Sequence, residues 1–116
     1  MKDINTRPIS WLKGALTDFE AFPFDVRLQA VDALTIAAEG GKADTAKPMH
    51  GMGSGVFEIA LRYRSDAYRI IYGVQLGEAL WVIHAFQKKS KTGIKTPLPD
   101  IKLVRERLKR LKEALR

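Results

Sequence analysis

The feature that most constrains the fold is a change of hydrophobic period near residue 56. The letters VFEIALRYR, residues 56–64, alternate between apolar and polar side chains, and a period of two is typical of a β-strand with one buried face. The stretches AYRIIYGVQ and ALWVIHAFQKK follow, separated by Ser65-Asp66 and by Leu76-Gly77-Glu78, which suit tight turns. Three successive strands with short turns predict an antiparallel meander.

The alternation also predicts which side chains share a face. In the first two strands one face is apolar: Phe57, Ile59, Leu61, Tyr63, Tyr68, Ile70, Tyr72 and Val74. In the third strand, alternation places Trp81, Ile83 and Ala85 on one face and Val82, His84, Phe86 and Lys88 on the other. The opposite face of the sheet is then expected to gather Glu58, Arg62, Arg64, Arg69, His84 and Lys88.

Helical patterns flank this meander. RPISWL has the character of an edge strand, and a short helix is predicted from Gly14 to Ala21. A second helix is predicted from Phe24 to Glu39, where Phe24, Leu28, Val31, Leu34 and Ala38 form a stripe and Gly40-Gly41 ends it. Residues 42–55 read as a loop. The last helix begins with Thr96 as its cap and Pro97 at its first position, and Ile101, Val104, Leu108, Leu111 and Leu115 form its apolar stripe.

The chain of 116 residues therefore predicts one domain, residues 1–116, of the α+β class, with helices against one face of an antiparallel sheet. It contains no cysteine, so disulfides and thiolate metal sites are excluded. No run of apolar residues is long enough to span a membrane, and residues 1–14 lack the apolar core of a signal peptide. These features predict a cytoplasmic protein without membrane association.

The net charge of +7 is distributed unevenly. Residues 1–54 hold six Lys or Arg and seven Asp or Glu, whereas residues 55–116 hold fourteen and six. The whole excess lies in the second half. A basic face of this kind predicts a polyanionic partner such as nucleic acid.

Several cations on one open sheet face favour a phosphate ligand. Arg69, with Arg62 or Arg64, can hold a phosphate, and Phe86 can stack a nucleobase. Such a site can cleave RNA without a metal if a base removes the proton of the 2′-hydroxyl and cations stabilise the phosphoryl charge. Glu58, His84 or a lysine of lowered pKa are candidates for that base. No metal site or cofactor is expected, because the two histidines are isolated from any carboxylate pair.

Each of these residues also has an ordinary structural interpretation. Arg62 and Arg64 are typical of a solvated strand face, and Glu58 is equally suited to an ion pair with Arg62 two residues away. His84 in an apolar strand is typical of a buried structural histidine. Tyr68 and Tyr72 lie on the core parity and are expected to pack. The basic stripe of the last helix, Lys102, Arg105, Lys109, Lys112 and Arg116, is typical of a solvated face.

The segments GSGVFEIALRYRSDAYRIIY and LWVIHAFQKKSKTGIKTP, with a charged terminal helix, resemble the phage-derived HigB-like branch of the RelE/ParE toxin superfamily. That resemblance implies a small toxin of a toxin–antitoxin pair. RelE and HigB relatives cleave mRNA on the ribosome without a metal, and ParE relatives poison DNA gyrase. It further implies two N-terminal helices, an antiparallel sheet, a C-terminal helix and a helix-turn-helix antitoxin of the HigA kind.

By the matching motifs, Arg69 of AYRIIY corresponds to the family's phosphate-binding arginine, and Lys88 and Lys89 of FQKK to basic residues that end the last strand. Arg62 and Arg64 fall where the family places further basic residues, and the more distant Lys91 and Lys95 are weaker candidates for binding phosphate. RelE depends on a C-terminal tyrosine, whereas this chain has no tyrosine after Tyr72. The resemblance therefore predicts an mRNA endoribonuclease that either uses a different acid, for which His84 of the HAF motif is a candidate, or is less active. Its alternatives are a ParE-like gyrase poison and a non-catalytic RNA- or ribosome-binding module.

Overall fold

A computed structural model describes residues 6–88 and 95–116 of the chain. Its elements, in chain order, are β1 (Ile9–Trp11), α1 (Lys13–Glu20), α2 (Phe24–Ala38), β2 (Ala46–Pro48), β3 (Val56–Tyr63), β4 (Asp66–Leu76), β5 (Ala79–Lys88) and α3 (Leu98–Ala114). The strands form one sheet in the order β1-β5-β4-β3-β2. Strand β1 is parallel to β5, and all other neighbours are antiparallel. The predicted α+β class and the β3-β4-β5 meander are confirmed.

The two edge strands differ in how well the sequence predicted them. RPISWL does form an edge strand, with Ile9 opposite Leu80. The loop prediction for residues 42–55 is wrong in part, because β2 pairs there with β3 and places Ala46 opposite Ile59. A strand of three residues is too short to show a period. Pro48 is tolerated at a sheet edge, where its missing N–H leaves no ladder bond unmade.

The helices cover both faces of the sheet, so the prediction of helices on one face is wrong for α3. Helices α1 and α2 pack with Ile59, Ile70, Tyr72 and Val82 in one core cluster. Helix α3 packs its stripe of Val104, Leu108 and Leu111 in a second cluster with Val56, Ile71 and Ile83. The predicted stripe of α3 is confirmed except at Leu115, which is exposed. The face that the sequence assigned to polar groups is therefore half covered by a helix.

Helix α2 buries only the second part of the predicted stripe: Leu34 and Ala38 are buried as predicted, but the first three residues are not. Phe24, Leu28 and Val31 are 62%, 50% and 45% exposed, although they were expected in the core. The buried residues are instead mostly small: Val26, Ala30, Ala33, Leu34, Ala37 and Ala38. Alanines let the helix approach the sheet closely, so the side with the larger residues is left outside. A pattern that counts only large apolar residues therefore misplaces the first half of this helix.

A β-bulge in β5 changes the predicted parity of that strand. Ile71 lies opposite His84, but the next residue, Tyr72, lies opposite Val82, so Ile83 is the extra residue. On the N-terminal side of the bulge the alternation is inverted. Ala85 packs with the α1–α2 cluster together with Val82, while Trp81 and Ile83 join Phe86 on the α3 side. The expected grouping of Trp81, Ile83 and Ala85 is thus wrong, whereas His84, Phe86 and Lys88 remain on the predicted face.

The β3-β4 hairpin turns one residue earlier than predicted. Arg64 and Ser65 both have positive φ, 51° and 73°, as a two-residue hairpin loop requires at its central positions. Arg64 is therefore in the turn and not on a strand face. Its guanidinium lies 5.2 Å from the centre of the Tyr63 ring.

Candidate functional site

The strands bring a row of charged side chains together on the α3 side of the sheet. Lys47 of β2 lies opposite Glu58 of β3. On β4, Arg69 lies opposite Ala60 of β3 and Phe86 of β5. Arg62 and Lys88 both lie opposite Ala67, on either side of β4. We call Glu58, Arg69 and Lys88 the central cluster, and Lys47 and Arg62 flank it.

Glu58 is the only acid of this group, and it is fully engaged. Its Oε1 is 3.2 Å from Nη1 of Arg69, and its Oε2 accepts a hydrogen bond of 2.6 Å from the hydroxyl of Thr96. The two ionic side chains are 5% and 8% exposed. An ion pair this far from water depends on the presence of both partners, because either charge alone is poorly solvated there.

Lys88 is buried beside that pair, at 6% exposure. Burial lowers the pKa of its ammonium group, and the nearby Arg69 guanidinium lowers it further. The Glu58 carboxylate raises the pKa of Lys88 in opposition, while Lys47 and Arg62 add smaller lowering contributions. A lysine whose pKa is depressed in this way is more readily a neutral amine, which is the form that accepts a proton.

A cleft of about 310 Å³ opens onto the central cluster, with Glu58 in its wall. One side is the β2 segment from Lys47 to His50, and the other is the start of the α3 segment, with Lys95, Thr96 and Ile101. Lys47 and Lys95 are exposed. Two exposed lysines thus line the cleft, and Glu58 is the member of the central cluster that reaches its wall.

The structure adds residues to the site that sequence reasoning missed. Thr96 was expected to cap α3, but Pro97 holds the cap position and the Thr96 side chain binds Glu58 instead. Lys47 was read as part of a loop. Lys47 is placed beside Glu58 only by the pairing of β2 with β3. The only sequence signal for that pairing is the short KPM stretch ahead of the glycines, and it is a weak one.

His84 belongs to a separate polar network beneath the start of α3. Its Nε2 is 2.7 Å from Oδ1 of Asp100, and its Nδ1 is 3.4 Å from Nη1 of Arg107. The same Nη1 donates to the backbone oxygen of Ile83 at 2.9 Å. A guanidinium can only donate, so Nδ1 accepts and Nε2–H donates to the carboxylate. Both ring nitrogens are engaged, and the His84 ring stacks on Phe86 at 5.0 Å.

The remaining predicted residues lie apart from the central cluster or beyond the described chain. Arg62 is exposed near the end of β3, and Arg64 is in the hairpin turn, so its expected strand position is wrong. Phe86 is half-buried on the α3 side, against His84. Lys89 and Lys91 lie outside the described residues. Tyr68 and Tyr72 are core residues as predicted; Tyr72 stacks on Phe57 at 5.4 Å, and burial raises its pKa to about 12.

Within residues 6–88 and 95–116, no group of three His, Cys, Asp or Glu side chains is arranged to hold a metal ion. Over the same residues, none of the helices combines the length and the apolar character needed to cross a bilayer.

Comparison with solved structures defines the class of fold. The chain superposes on a free *Escherichia coli* RelE toxin carrying two arginine-to-alanine changes, with a TM-score of 0.63 and 20% identity over 90% of this chain and 97% of that one. It also matches isolated *E. coli* RelE at 0.54, with 20% identity and coverage of 90% and 98%. The match to the *Mycobacterium tuberculosis* RelBE2 toxin–antitoxin complex has a TM-score of 0.51 and 13% identity, over 78% and 100%. The fold is that of RelE.

The sequence comparison is more specific about the family. Residues 17–109 match the family described as phage-derived protein Gp49-like (DUF891), and the chain belongs to that family. A search of curated proteins found no significant match. The expected resemblance to phage-derived members of the RelE group is confirmed at the level of family and fold.

Proposed function

We propose that this protein is the toxin of a toxin–antitoxin pair and that it cleaves mRNA on the ribosome without a metal. The observation that carries the proposal is the central cluster: a buried arginine, a buried lysine of lowered pKa and one carboxylate, which lines a cleft together with Lys47 and Lys95. The RelE fold and the toxin identity of the matched *E. coli* proteins support the same function.

In this proposal the scissile phosphate replaces Glu58 as the ligand of Arg69. The guanidinium fork suits two phosphate oxygens and stabilises the charge that develops on phosphorus. Entry of the phosphate past Lys47 and Lys95 is favoured by their charge. Before the substrate binds, the Glu58 carboxylate holds the Arg69 guanidinium in place and neutralises its charge.

Among the three candidates that the sequence suggested, we assign the proton acceptor to Lys88, because burial and the neighbouring Arg69 guanidinium lower its pKa. Lys88 in its neutral form takes the 2′-hydroxyl proton as the 2′-oxygen bonds to phosphorus. The bond to the 5′-oxygen breaks, and that oxygen receives a proton from an ammonium at the cleft, for which Lys47 and Lys95 are the exposed groups.

The products expected from this mechanism are a 2′,3′-cyclic phosphate and a 5′-hydroxyl. The partners implied are mRNA on the ribosome, in the cytoplasm, and a cognate antitoxin of the HigA-like, helix-turn-helix kind. Phe86 is adjacent to Arg69 in register and is proposed as a stacking surface for a base, with His84 and its partners holding the ring in place.

The test is induced expression in *E. coli*, with mapping of mRNA ends by primer extension. Growth arrest with cuts inside translated codons, lost in Arg69→Ala and retained in the turn variant Arg64→Ala, is the expected result. Trapped cleaved DNA and an SOS response with intact mRNA would instead identify a ParE-like gyrase poison. Ribosome binding without cleavage or arrest would identify a non-catalytic module, and normal growth with no binding would refute the toxin proposal altogether.

A further inference from the structure

Helix α2 carries an apolar line on its outer side that no described element covers. Phe24, Leu28 and Val31 follow one another at spacings of four and three residues and are each 45% exposed or more. This spacing places them in one row on a helix. The helix meets the sheet through its opposite, alanine-rich side, so the row is not needed for the fold of the described residues.

A line of acidic residues runs beside that apolar row. Asp25, Asp32 and Glu39 are seven residues apart and exposed, with Glu39 at the C-cap, which places them along one side of the helix and its end at intervals of about 10.5 Å. Within the described residues, none of the three takes part in an ion pair. Asp25 near the helix start is favourable to the helix dipole, but Glu39 at the opposite end is not, so helix stability does not explain the whole line.

An apolar row beside an acidic row is the pattern of one helix in a short coiled coil. An apolar row flanked by charges at a seven-residue spacing matches a helix whose own charges repeat every seven residues with the opposite sign. The other flank holds Arg27, whose guanidinium lies 5.6 Å from the centre of the Phe24 ring and whose Nε donates to the backbone oxygen of Phe22. Its hydrogen bond keeps it turned toward its own chain.

We infer that the outer face of α2 is a docking surface for an amphipathic helix of a separate protein, with leucine-like residues against Phe24, Leu28 and Val31 and a row of Lys or Arg against Asp25, Asp32 and Glu39. The carboxylate row disfavours nucleic acid and anionic lipid, which carry charge of the same sign. It disfavours a second α2 face as well, since that contact brings like charges together. The exposed large apolar residues of α3 and its end in a second copy, Leu98, Leu103 and Leu115, are five and twelve residues apart, so they form no row that matches the apolar row of α2.

This surface lies on the side of the sheet opposite to the central cluster, because α2 packs in the core cluster that excludes α3. A partner bound there leaves the cleft beside Glu58 open. The inference extends the proposed function without depending on it, since the surface binds whether or not the protein cleaves RNA.

The experiment uses the full-length protein and a fluorescently labelled helical peptide of three heptads, with leucines in one row and lysines at a seven-residue spacing beside it. A matched peptide carries glutamate in place of each lysine. Fluorescence anisotropy is expected to show about tenfold tighter binding of the lysine peptide, since each of three charge pairs changes affinity by a few tenths of a kcal/mol. Leu28→Ser should weaken binding at least fivefold.

Two variants separate docking from general effects. Asp32→Lys should reduce the preference for the lysine peptide, and Leu103→Ser, an exposed leucine on α3, should leave binding unchanged. Circular dichroism checks that each variant is folded. Equal affinity for both peptides, or insensitivity to Leu28→Ser in a folded variant, overturns the inference. Light scattering that shows a dimer abolished by Leu28→Ser would also overturn it, in favour of self-association. Loss of RNA cleavage alone would affect only the proposed function.

Discussion

Replacing Glu58 with glutamine tests whether the central cluster is an anion site held ready by its own carboxylate. The substitution keeps the size of the side chain and removes its charge. Arg69, whose side chain is 8% exposed, and the buried Lys88 then lose the one acid of the cluster. Removing one partner of a buried ion pair costs about 3 kcal/mol or more, because the remaining charge is left poorly solvated.

The expected change in melting temperature follows from chain length. Unfolding entropy of about 2.1 cal/mol/K per residue gives about 0.24 kcal/mol/K for 116 residues. A loss of about 3 kcal/mol therefore lowers Tm by about 12 °C. Thr96→Val is the matched control, since it removes the 2.6 Å hydrogen bond to Glu58 and keeps the carboxylate. A hydrogen bond to a charged carboxylate lost in this way costs about 1.5 kcal/mol, or about 6 °C.

Thermal melts followed by circular dichroism, in buffers with and without inorganic phosphate, complete the assay. Phosphate at 100 times its Kd stabilises a protein by about 2.7 kcal/mol, so it should restore most of the Tm of Glu58→Gln. Sodium chloride at equal ionic strength should restore much less. A Tm within 2–3 °C of the original, about 0.6 kcal/mol, would show that the ion pair does not hold the cluster. A full loss without recovery in phosphate would show that the cluster does not bind the anion.

Three further outcomes are expected. Lys88→Met should abolish RNA cleavage. The cleavage rate of the unmodified protein should rise with pH up to the lowered pKa of Lys88, because only the neutral amine accepts a proton. A flat pH–rate profile would argue against this role. Because the pKa of Lys88 is lowered in the folded protein, its ammonium group destabilises the fold most at pH values below that folded pKa. This destabilisation disappears as the pH rises to 10.5, the ordinary pKa of lysine. Urea titrations at several pH values measure the change in the free energy of unfolding. Leu34→Ala should lower the free energy of unfolding by about 3 kcal/mol, because Leu34 is fully buried, whereas Leu28→Ala on the outer face should change it by less than about 1 kcal/mol; equal losses would contradict the observed orientation of α2.

Much of the candidate site was predictable because strand alternation and short turns act locally. Glu58, Arg69 and Lys88 fall on one face by counting residues along β3, β4 and β5, and the β-bulge after Val82 does not disturb Lys88 because it lies beyond the shift. Lys47, Thr96, Asp100 and Arg107 could not be placed in this way. Each reaches the site through a contact between elements distant in sequence, and no local period records such a contact.

The sequence by itself determined the class of fold, the β3-β4-β5 meander, the stripe of α3 and the charge of the second half, because these follow from periods of two and 3.6 residues and from composition. Only the tertiary structure decided which face of α2 is buried and which side of the sheet α3 covers. Both depend on how closely surfaces can approach, and here small alanines bring α2 to the sheet while Phe24 and Leu28 remain outside. The tertiary structure also made Glu58 the shared partner of Arg69 and Thr96, which turned a row of charges into a candidate anion site.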